Sequence, residues 1–581
     1  MEKKRESWAN RTTFIFAAIG SAVGLGNAWR FPGLAAKHGG GAFLLVYFIA
    51  MFIIGWPLLM MEISMGRKMQ QGAPGTLKGI NKKAEFVGWA AVGNAFLIAA
   101  YYAVILAWIF VMIVKSFSIG GMSPTDAGNV FFDDVIQKLP IGGGHALDIP
   151  WAVLLALGAA WVVIYLCIRK GAHSAGKVVP YTVIIPIVLL VVLGANGIIK
   201  DATVGGGLGL KTFFLPQWEA LSDPTIWIDA YGQVFYSLSL MMAIMIAYGS
   251  FVNKKSDIIK DSLIISVADL LISVLAGVVL FTTLSGTGKL EEYLANPAGS
   301  IGTAFIVYPQ AMVMLSNIPW LNSMFSVLFF VTLFTLAIDS AFSIIEGIST
   351  AVSDKFHLTK RKTTLAVCVL CGVTSLLFAT RSGMNWLDIV DNWANTVNLL
   401  LVGVIECLVV GWGFKTSKLR HELNRTATNI KLAKPYEWLI KVVDPLILAV
   451  LFLWNLVLLF SAGGYGEYPV WSQILGGWLP SLLVFGGSIA IQIASQKSKK
   501  LQIYDASSLT WDESCVEELE EKENAGEISE EEAISATAHL VLDEKKKERI
   551  LAGVSVDKNS TASSNASIDK NAIDKNSVNK N

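Results

Sequence analysis

Asn27 and Arg30 stand where an apolar helix should carry nothing polar. They lie in the stretch GSAVGLGNAWRFP, residues 20–32, preceded by TTFIFAAI and soon followed by GGGAFLLVYFIAMFIIGWPLLMMEI. Gly20, Gly24 and Gly26 share the stretch. Unwound backbone at mid-membrane depth is tolerated only where it is buried in protein or lines a watery cavity. An interrupted helix exposes carbonyls from one half and amides from the other. The carbonyls attract a cation and the amides attract a carboxylate. Asn27 adds a neutral side-chain oxygen suited to a hard cation such as Na⁺. A helix-packing face of small residues accounts for the glycines but not for Asn27 or Arg30.

If the fold contains an inverted repeat, a second interruption belongs in a matching position. The candidate is AYGQVFYSLSLMMAIMIAYGSF, which places Gln233, Ser237 and Ser239 inside an apolar run. Its SLMMA segment holds no glycine, so this break is less marked than the first. Intramembrane carboxylates are costly and default to functional sites. Asp269 in ISVADLLISVLAG and Asp339 in TLAIDSAFSIIEG each have serines nearby, which favours cation sites over simple helix–helix hydrogen bonds. Glu62, Glu346, Asp391 and Glu406 lie toward helix ends or beside small residues. Cys368 and Cys371 form a CxxC within a predicted membrane helix, with no second pair, and read as structural small residues.

The elements that must position these groups are membrane helices. Of 581 residues, 54% are hydrophobic and 16% charged, against roughly 25% charged in soluble domains. Apolar runs of about 20 residues, enough to span a bilayer, recur from residue 12 to residue 495. The pattern predicts helices near 12–36, 41–66, 86–118, 150–169, 178–199, 227–252, 258–286, 322–352, 363–380, 388–415, 436–462 and 471–495. The apolar, Pro-broken segment 300–318 reads as an outer helical hairpin. MEKKRESWANR leads directly into the first span without a small-residue cleavage site, so no cleaved signal is expected. Positive charge gathers in the N-terminus and the even-numbered connections, while 119–149 has only Lys138. Both termini are therefore expected in the cytoplasm. The net charge of +1 points to no partner, and none of the usual hydrolase, zincin or P-loop motifs is present. Beyond 495 the chain is highly charged and then low in complexity, which predicts a cytoplasmic tail, disordered toward its end.

WANRTTFIFAAIGSAVGLGNAWRFP, HGGGAF, GQVFYSLSL and LAIDSAF resemble the neurotransmitter:sodium symporters, in particular bacterial amino-acid members built like the leucine transporter. The likeness covers about residues 5–495. It implies an all-α integral membrane protein of about twelve transmembrane helices, a 5+5 inverted repeat with discontinuous helices 1 and 6. The expected divisions are 1–11 (inner-gate residues), 12–199 and 200–415 (the two five-helix repeats), 436–495 (helices 11 and 12) and 496–581 (tail).

The resemblance also implies two Na⁺ sites. The first uses the Ala22 carbonyl, Asn27, Ser237 and Asp269. The second uses carbonyls of Gly20, Val23 and Leu336 with the side chains of Asp339 and Ser340. A substrate carboxylate is expected at the Leu25 and Gly26 amides and the Tyr102 hydroxyl, and its amino group at carbonyls near Ala22, Tyr236 and Ser239. The side-chain pocket is expected from Val23, Ile98, Tyr236, Ser239, Met242, Ala341 and Ile344. Gly24 stands where amine carriers of this kind have an aspartate, so the substrate must bring its own carboxylate. The implied function is Na⁺-coupled import of a neutral hydrophobic or aromatic amino acid by alternating access. Other small amines or zwitterions, or a substrate-gated channel or sensor, remain as alternatives.

Tyr47, Gln233, Ser237 and Ser273 match the pattern around chloride in dependent members, but Asp269 stands where those carry asparagine. A carboxylate within a few ångströms repels an anion, so chloride is not expected. Arg30 with Asp391, together with Tyr102 and Tyr236 as the lid, is the expected outer gate, and Arg5 with Asp354, beside Trp8, the inner one. LMMA at 240–243 lacks the glycines usual in the sixth helix, Phe251 replaces an inner-gate tyrosine, and Gly171 and Pro180 are one residue closer than usual. The implied setting is the cell's inner (plasma) membrane, as a multi-pass monomer or homodimer with a small-molecule substrate, lipid around it and no nucleic acid.

Overall fold

The structure is a computed structural model that describes residues 7–169 and 171–497. Among the described residues, ten helices are long and apolar enough to cross a membrane, and a bent pair makes an eleventh. In chain order the main helices are α1 (Arg11–Ala22 and Gly26–Lys37), α2 (Gly41–Met69), α3 (Glu85–Ile119), α4 (Trp151–Ile168), α5 (Ala172–Thr203), α6 (Pro224–Ser237 and Ile244–Gly249), α7 (Ile258–Gly286), α8 (Pro319–Phe356), α9 (Lys360–Phe378), α10 (Gly383–Gly411), α11 (Pro435–Ser461) and α12 (Val470–Lys497); the two short pieces of α6 are not counted among the eleven. Segment 300–318 is not a hairpin. It runs as one helical stretch to Met312 and then turns, because Pro309 sits at the start of its last turn, where a missing N–H costs nothing. The helix α5 begins six residues earlier than the apolar run, directly after Gly171 at φ +65°.

Burial separates a core from a periphery. In α3 and α8, 78% of the most apolar window is buried, against 28% in α11 and α12. The outer helices expose Leu154, Val188, Val369, Val457 and Leu482, side chains that suit lipid contact. The inner helices instead bury polar groups such as Asn27, Gln233, Asp269 and Asp339. The α2 helix and the second half of α6 pack backbone against backbone. A Cβ on Gly66 would collide with the Ile246 carbonyl, so only glycine lets the two backbones touch.

At one end of the molecule the buried Arg67 ties three segments together. Its guanidinium donates to the Ser256 carbonyl (2.6 Å), Thr426 Oγ1 (2.7 Å) and Glu422 Oε1 (2.9 Å). Glu422 lies on an amphipathic helix, Thr416–Arg425, outside the spans. Burial pushes its carboxyl up, but Arg67, Lys68 and Arg425 outweigh that and hold it below the ordinary value of 4.5.

Candidate functional site

Both expected interruptions are present. The two halves of α1 meet at 49° across Val23–Leu25. The α6 helix stops at Ser237 and resumes at Ile244. Without glycine, this link places Ser239, Met241 and Ala243 at φ +53°, +61° and +62°. Each such residue in the left-handed region costs on the order of 1–3 kcal/mol and persists only where its surroundings force it. The forcing contacts are visible. Glu62 Oε1 of α2 accepts the Met241 amide at 3.1 Å, and Ser239 Oγ donates to the Ser21 carbonyl at 2.9 Å. Glu62 therefore supports the second break, a role its position near small residues did not reveal.

Between the two breaks lies a cavity of about 30 Å³, room for a couple of waters. Of the expected substrate residues, Ala22, Leu25, Gly26, Ile98, Tyr102, Tyr236, Ser239, Met242 and Ile344 all line it. Val23 and Ala341 are buried but do not. Val23 has an extended backbone (φ −83°, ψ 97°) and caps the first half of α1. On α8 the cavity is faced by Ser340 and Ile344, spaced i to i+4, and Ala341 falls on the next face round. Ser21 also lines the cavity and was missed, although a serine one turn before a break is a legible signal. No lining residue carries a full charge.

Tyr102 Oη is buried and makes no hydrogen bond of ordinary length and angle to the protein, with Ser340 and the Leu25 backbone close enough to influence it. A Cβ on Gly24 would stand 2.5 Å from Ser340 Oγ and 3.5 Å from this hydroxyl. Any larger side chain at position 24 would therefore enter the space that Tyr102 and Ser340 face. The Tyr236 carbonyl, expected to receive an amino group, accepts the Ser239 amide at 3.3 Å.

Asn27 and Ser237, which also line the cavity, converge on Asp269. Asn27 Nδ2 donates to Asp269 Oδ1 at 2.7 Å and Ser237 Oγ to Asp269 Oδ2 at 2.7 Å. Tyr47 Oη donates to the same Oδ2 at 3.0 Å, and Asn27 Nδ2 also reaches Ser273 Oγ at 2.8 Å. The Asn27 oxygen instead accepts the Gly24 amide at 3.0 Å. Gln233 is turned away from this group, with Nε2 on the Gly26 carbonyl at 3.0 Å. Two side chains of the chloride-like pattern, Tyr47 and Ser237, thus donate to a carboxylate, and Ser273 joins the group through Asn27.

A second cluster sits across the α1 break. Asp339 Oδ2 lies 2.8 Å from where a Gly20 Cβ would be, and Ser340 Oγ is 3.4 Å from the Ser21 carbonyl. Leu336 is one turn away on the same helix. Asp339 Oδ1 accepts a hydrogen bond from Thr182 Oγ1 at 2.6 Å. Thr182 was not anticipated, since its place two residues after Pro180 gives no sign of which helix α5 will meet. Both clusters offer mainly oxygen donors, including a carboxylate each, the chemistry a hard cation takes.

The gates differ from expectation in one respect. Arg30 and Asp391 form no direct ion pair. Asp391 accepts from Tyr101 Oη (2.6 Å) and Asn395 Nδ2 (2.8 Å), and the Arg30 guanidinium lies over the Tyr236 ring at 5.3 Å. Both donors use Oδ1, and Arg30 still acts on the carboxylate through its charge without touching it. On the opposite side Trp8 is buried, donating Nε1 to the Tyr248 carbonyl at 3.1 Å and packing on Phe251. Asp354 accepts the Gly72 amide at 2.7 Å, and Arg5 lies outside the described residues. Phe251 also receives Lys360, whose ammonium sits 5.9 Å from its ring while pairing with Glu346 at 2.7 Å.

A model of the "Sodium:neurotransmitter symporter family" matches residues 5–121 and 119–495. An uncharacterized sodium-dependent transporter of Methanocaldococcus jannaschii is 34% identical over 508 residues, covering 86% of this chain and 99% of the relative. The sodium-dependent neutral amino acid transporter B(0)AT3 of Mus musculus is 29% identical over 596 residues, with 86% and 95% covered. The sodium- and chloride-dependent creatine transporter 1 of Homo sapiens is 29% identical over 523 residues, with 81% and 80% covered. The crystal structure of MhsT in complex with L-phenylalanine superposes with a TM-score of 0.65 at 28% identity, covering 78% of this chain and 99% of MhsT. With two broken helices around one oxygen-lined cavity, this chain belongs to the sodium:neurotransmitter symporter family: it is a sodium-dependent membrane transporter, not an enzyme.

Proposed function

We propose that the chain imports a neutral, hydrophobic or aromatic amino acid, coupled to Na⁺ at two sites and independent of chloride. The observation that carries the substrate reading is the orphaned Tyr102 hydroxyl facing a cavity with no charged lining residue. A zwitterion supplies what is missing there. Its carboxylate accepts from Tyr102 and meets the positive end of the second half of α1 at Leu25 and Gly26. Its ammonium meets carbonyls at the end of the first half. Ile98, Met242 and Ile344 leave only apolar contact for the side chain, and Met242 has the rotamer freedom to make room for it. The relation to MhsT, solved with L-phenylalanine, supports the same class.

At the first Na⁺ site Asn27, Ser237 and Asp269 hold the ion, with the Asn27 amide turned so that its oxygen faces the carboxylate. At the second, Asp339 and Ser340 act with carbonyls of Gly20, Val23 and Leu336. Na⁺ in these places neutralises buried carboxylates and bridges α1 to α6, α7 and α8, so ion binding closes the site around substrate. Arg30, Tyr236 and Asp391 control access on one side, and Trp8, Phe251 and Asp354 on the other. We place both termini in the cytoplasm of a cell whose plasma membrane holds the protein.

The test is uptake by proteoliposomes of twenty amino acids, with Na⁺ and Cl⁻ varied separately. Accumulation of phenylalanine, tryptophan or leucine that needs Na⁺ alone is expected. Transport confined to glutamate or lysine would overturn the substrate class.

A further inference from the structure

A groove unrelated to the transport site runs along the outer surface between α4 and α9. It encloses about 400 Å³ and is lined, among others, by Gly158, Trp161, Tyr165, Leu365, Gly372 and Leu376. Two glycines make it deep. A Cβ at Gly158 would meet nothing within 4 Å, and one at Gly372 would only touch the Trp161 ring at 3.6 Å. The floor is fixed rather than mobile: Trp161 Nε1 donates to Ser375 Oγ (3.3 Å), which donates in turn to the Ala100 carbonyl of α3 (2.7 Å). From Leu154 to Leu166 the lining spans twelve helical steps, about 18 Å. That is a little over half of a ~30 Å hydrocarbon core, the reach of the acyl chains of one leaflet.

One end of the groove is basic. Arg169 follows the lining residues Tyr165 and Leu166 by four and three positions, and Arg361 and Lys362 precede the lining residue Leu365 by four and three. Helical spacing therefore carries the groove's own face onto three cations from two adjacent helices. Arg361 and Lys362 are exposed and Arg169 is half-buried. None of the three side chains is engaged in an ion pair or hydrogen bond with a described residue. A uniform apolar groove suits any acyl chain, whereas three cations at its mouth, unpaired among the described residues, select the headgroup. We infer that the groove between α4 and α9 binds an anionic glycerophospholipid, one acyl chain along Gly158 and Gly372 and its phosphate at Arg169, Arg361 and Lys362.

Each basic residue facing an anionic headgroup is worth about fivefold in affinity, so the three together give a preference of roughly 100-fold over a zwitterionic lipid. The purified, delipidated full chain would be titrated with phosphatidylglycerol and with phosphatidylcholine of identical acyl chains, and bound lipid counted by native mass spectrometry. Two variants separate headgroup from chain. Arg169→Gln/Arg361→Gln/Lys362→Gln should bring phosphatidylglycerol down to the phosphatidylcholine level. Gly158→Leu, which projects into open space, should weaken both lipids. Equal binding of the two lipids by the unaltered protein, or a preference undiminished in the triple variant, overturns the inference. So does Gly158→Leu converting a dimer to monomer with lipid binding unchanged, because the groove would then seat a second copy. Should Gly158→Leu fail to fold, the charge variant alone decides.

Discussion

Replacing Asp269 by asparagine tests the ion chemistry most directly. Asp269 Oδ2 lies 2.7 Å from Ser237 Oγ and 3.0 Å from Tyr47 Oη, so it takes the hydroxyl protons that a bound chloride would need. A chloride placed at hydrogen-bond distance from both hydroxyls would stand about 5 Å from the carboxylate carbon. At an effective dielectric of about 20, two unit charges at that separation repel by roughly 3 kcal/mol, about 200-fold in affinity. Asp269→Asn removes the repulsion and leaves the two hydroxyls and Ser273 to face an anion. The replacement is nearly isosteric, so the fold should be kept. In proteoliposomes the unaltered protein should transport equally with chloride or gluconate outside. The variant should transport poorly in gluconate and recover as chloride is added. The reasoning fails if the unaltered protein stops working without chloride. It fails equally if the variant binds ²²Na⁺ and substrate normally yet ignores chloride.

Three further outcomes follow from named contacts. Tyr102→Phe should raise KM about 10- to 100-fold, the value of a hydrogen bond to a charged group, with thermal stability unchanged because that hydroxyl bonds nothing in the protein; an unaltered KM would remove Tyr102 from the substrate site. Thr182→Val should raise the Na⁺ concentration for half-maximal binding several-fold while substrate affinity at saturating Na⁺ stays the same, and Thr182→Ser should restore it, since the contact made is the hydroxyl to Asp339. Glu422→Gln should destabilise the protein at pH 7 by about 3–5 kcal/mol, as expected when one partner of a buried ion pair is removed. Because the folded carboxyl titrates below its ordinary 4.5, its contribution is complete above that pH and is lost as pH falls through the folded value. The gap in melting temperature between Glu422→Gln and the unaltered protein should therefore close in acid, and a gap that widened there would contradict the assignment.

The amino-acid sequence by itself determined the class and the first break. Apolar runs separated by charged connections leave helices as the only solution in lipid. Gly24, Asn27 and Arg30 inside such a run have few structural explanations, so the break at Val23–Leu25 was legible from local composition. Asp269 and Asp339 were legible for the same reason, because buried charge is expensive and its presence is informative. The second break was harder to read, as Leu240–Ala243 has no glycine. Only the approach of Glu62 from α2 and Ser21 from α1 shows how Ser239, Met241 and Ala243 are held at positive φ. Thr182 on Asp339 and Tyr101 in place of Arg30 on Asp391 were likewise decided by tertiary structure. Each depends on which helix faces are brought within about 3 Å, and that follows from packing across more than a hundred residues of chain, which no local pattern records.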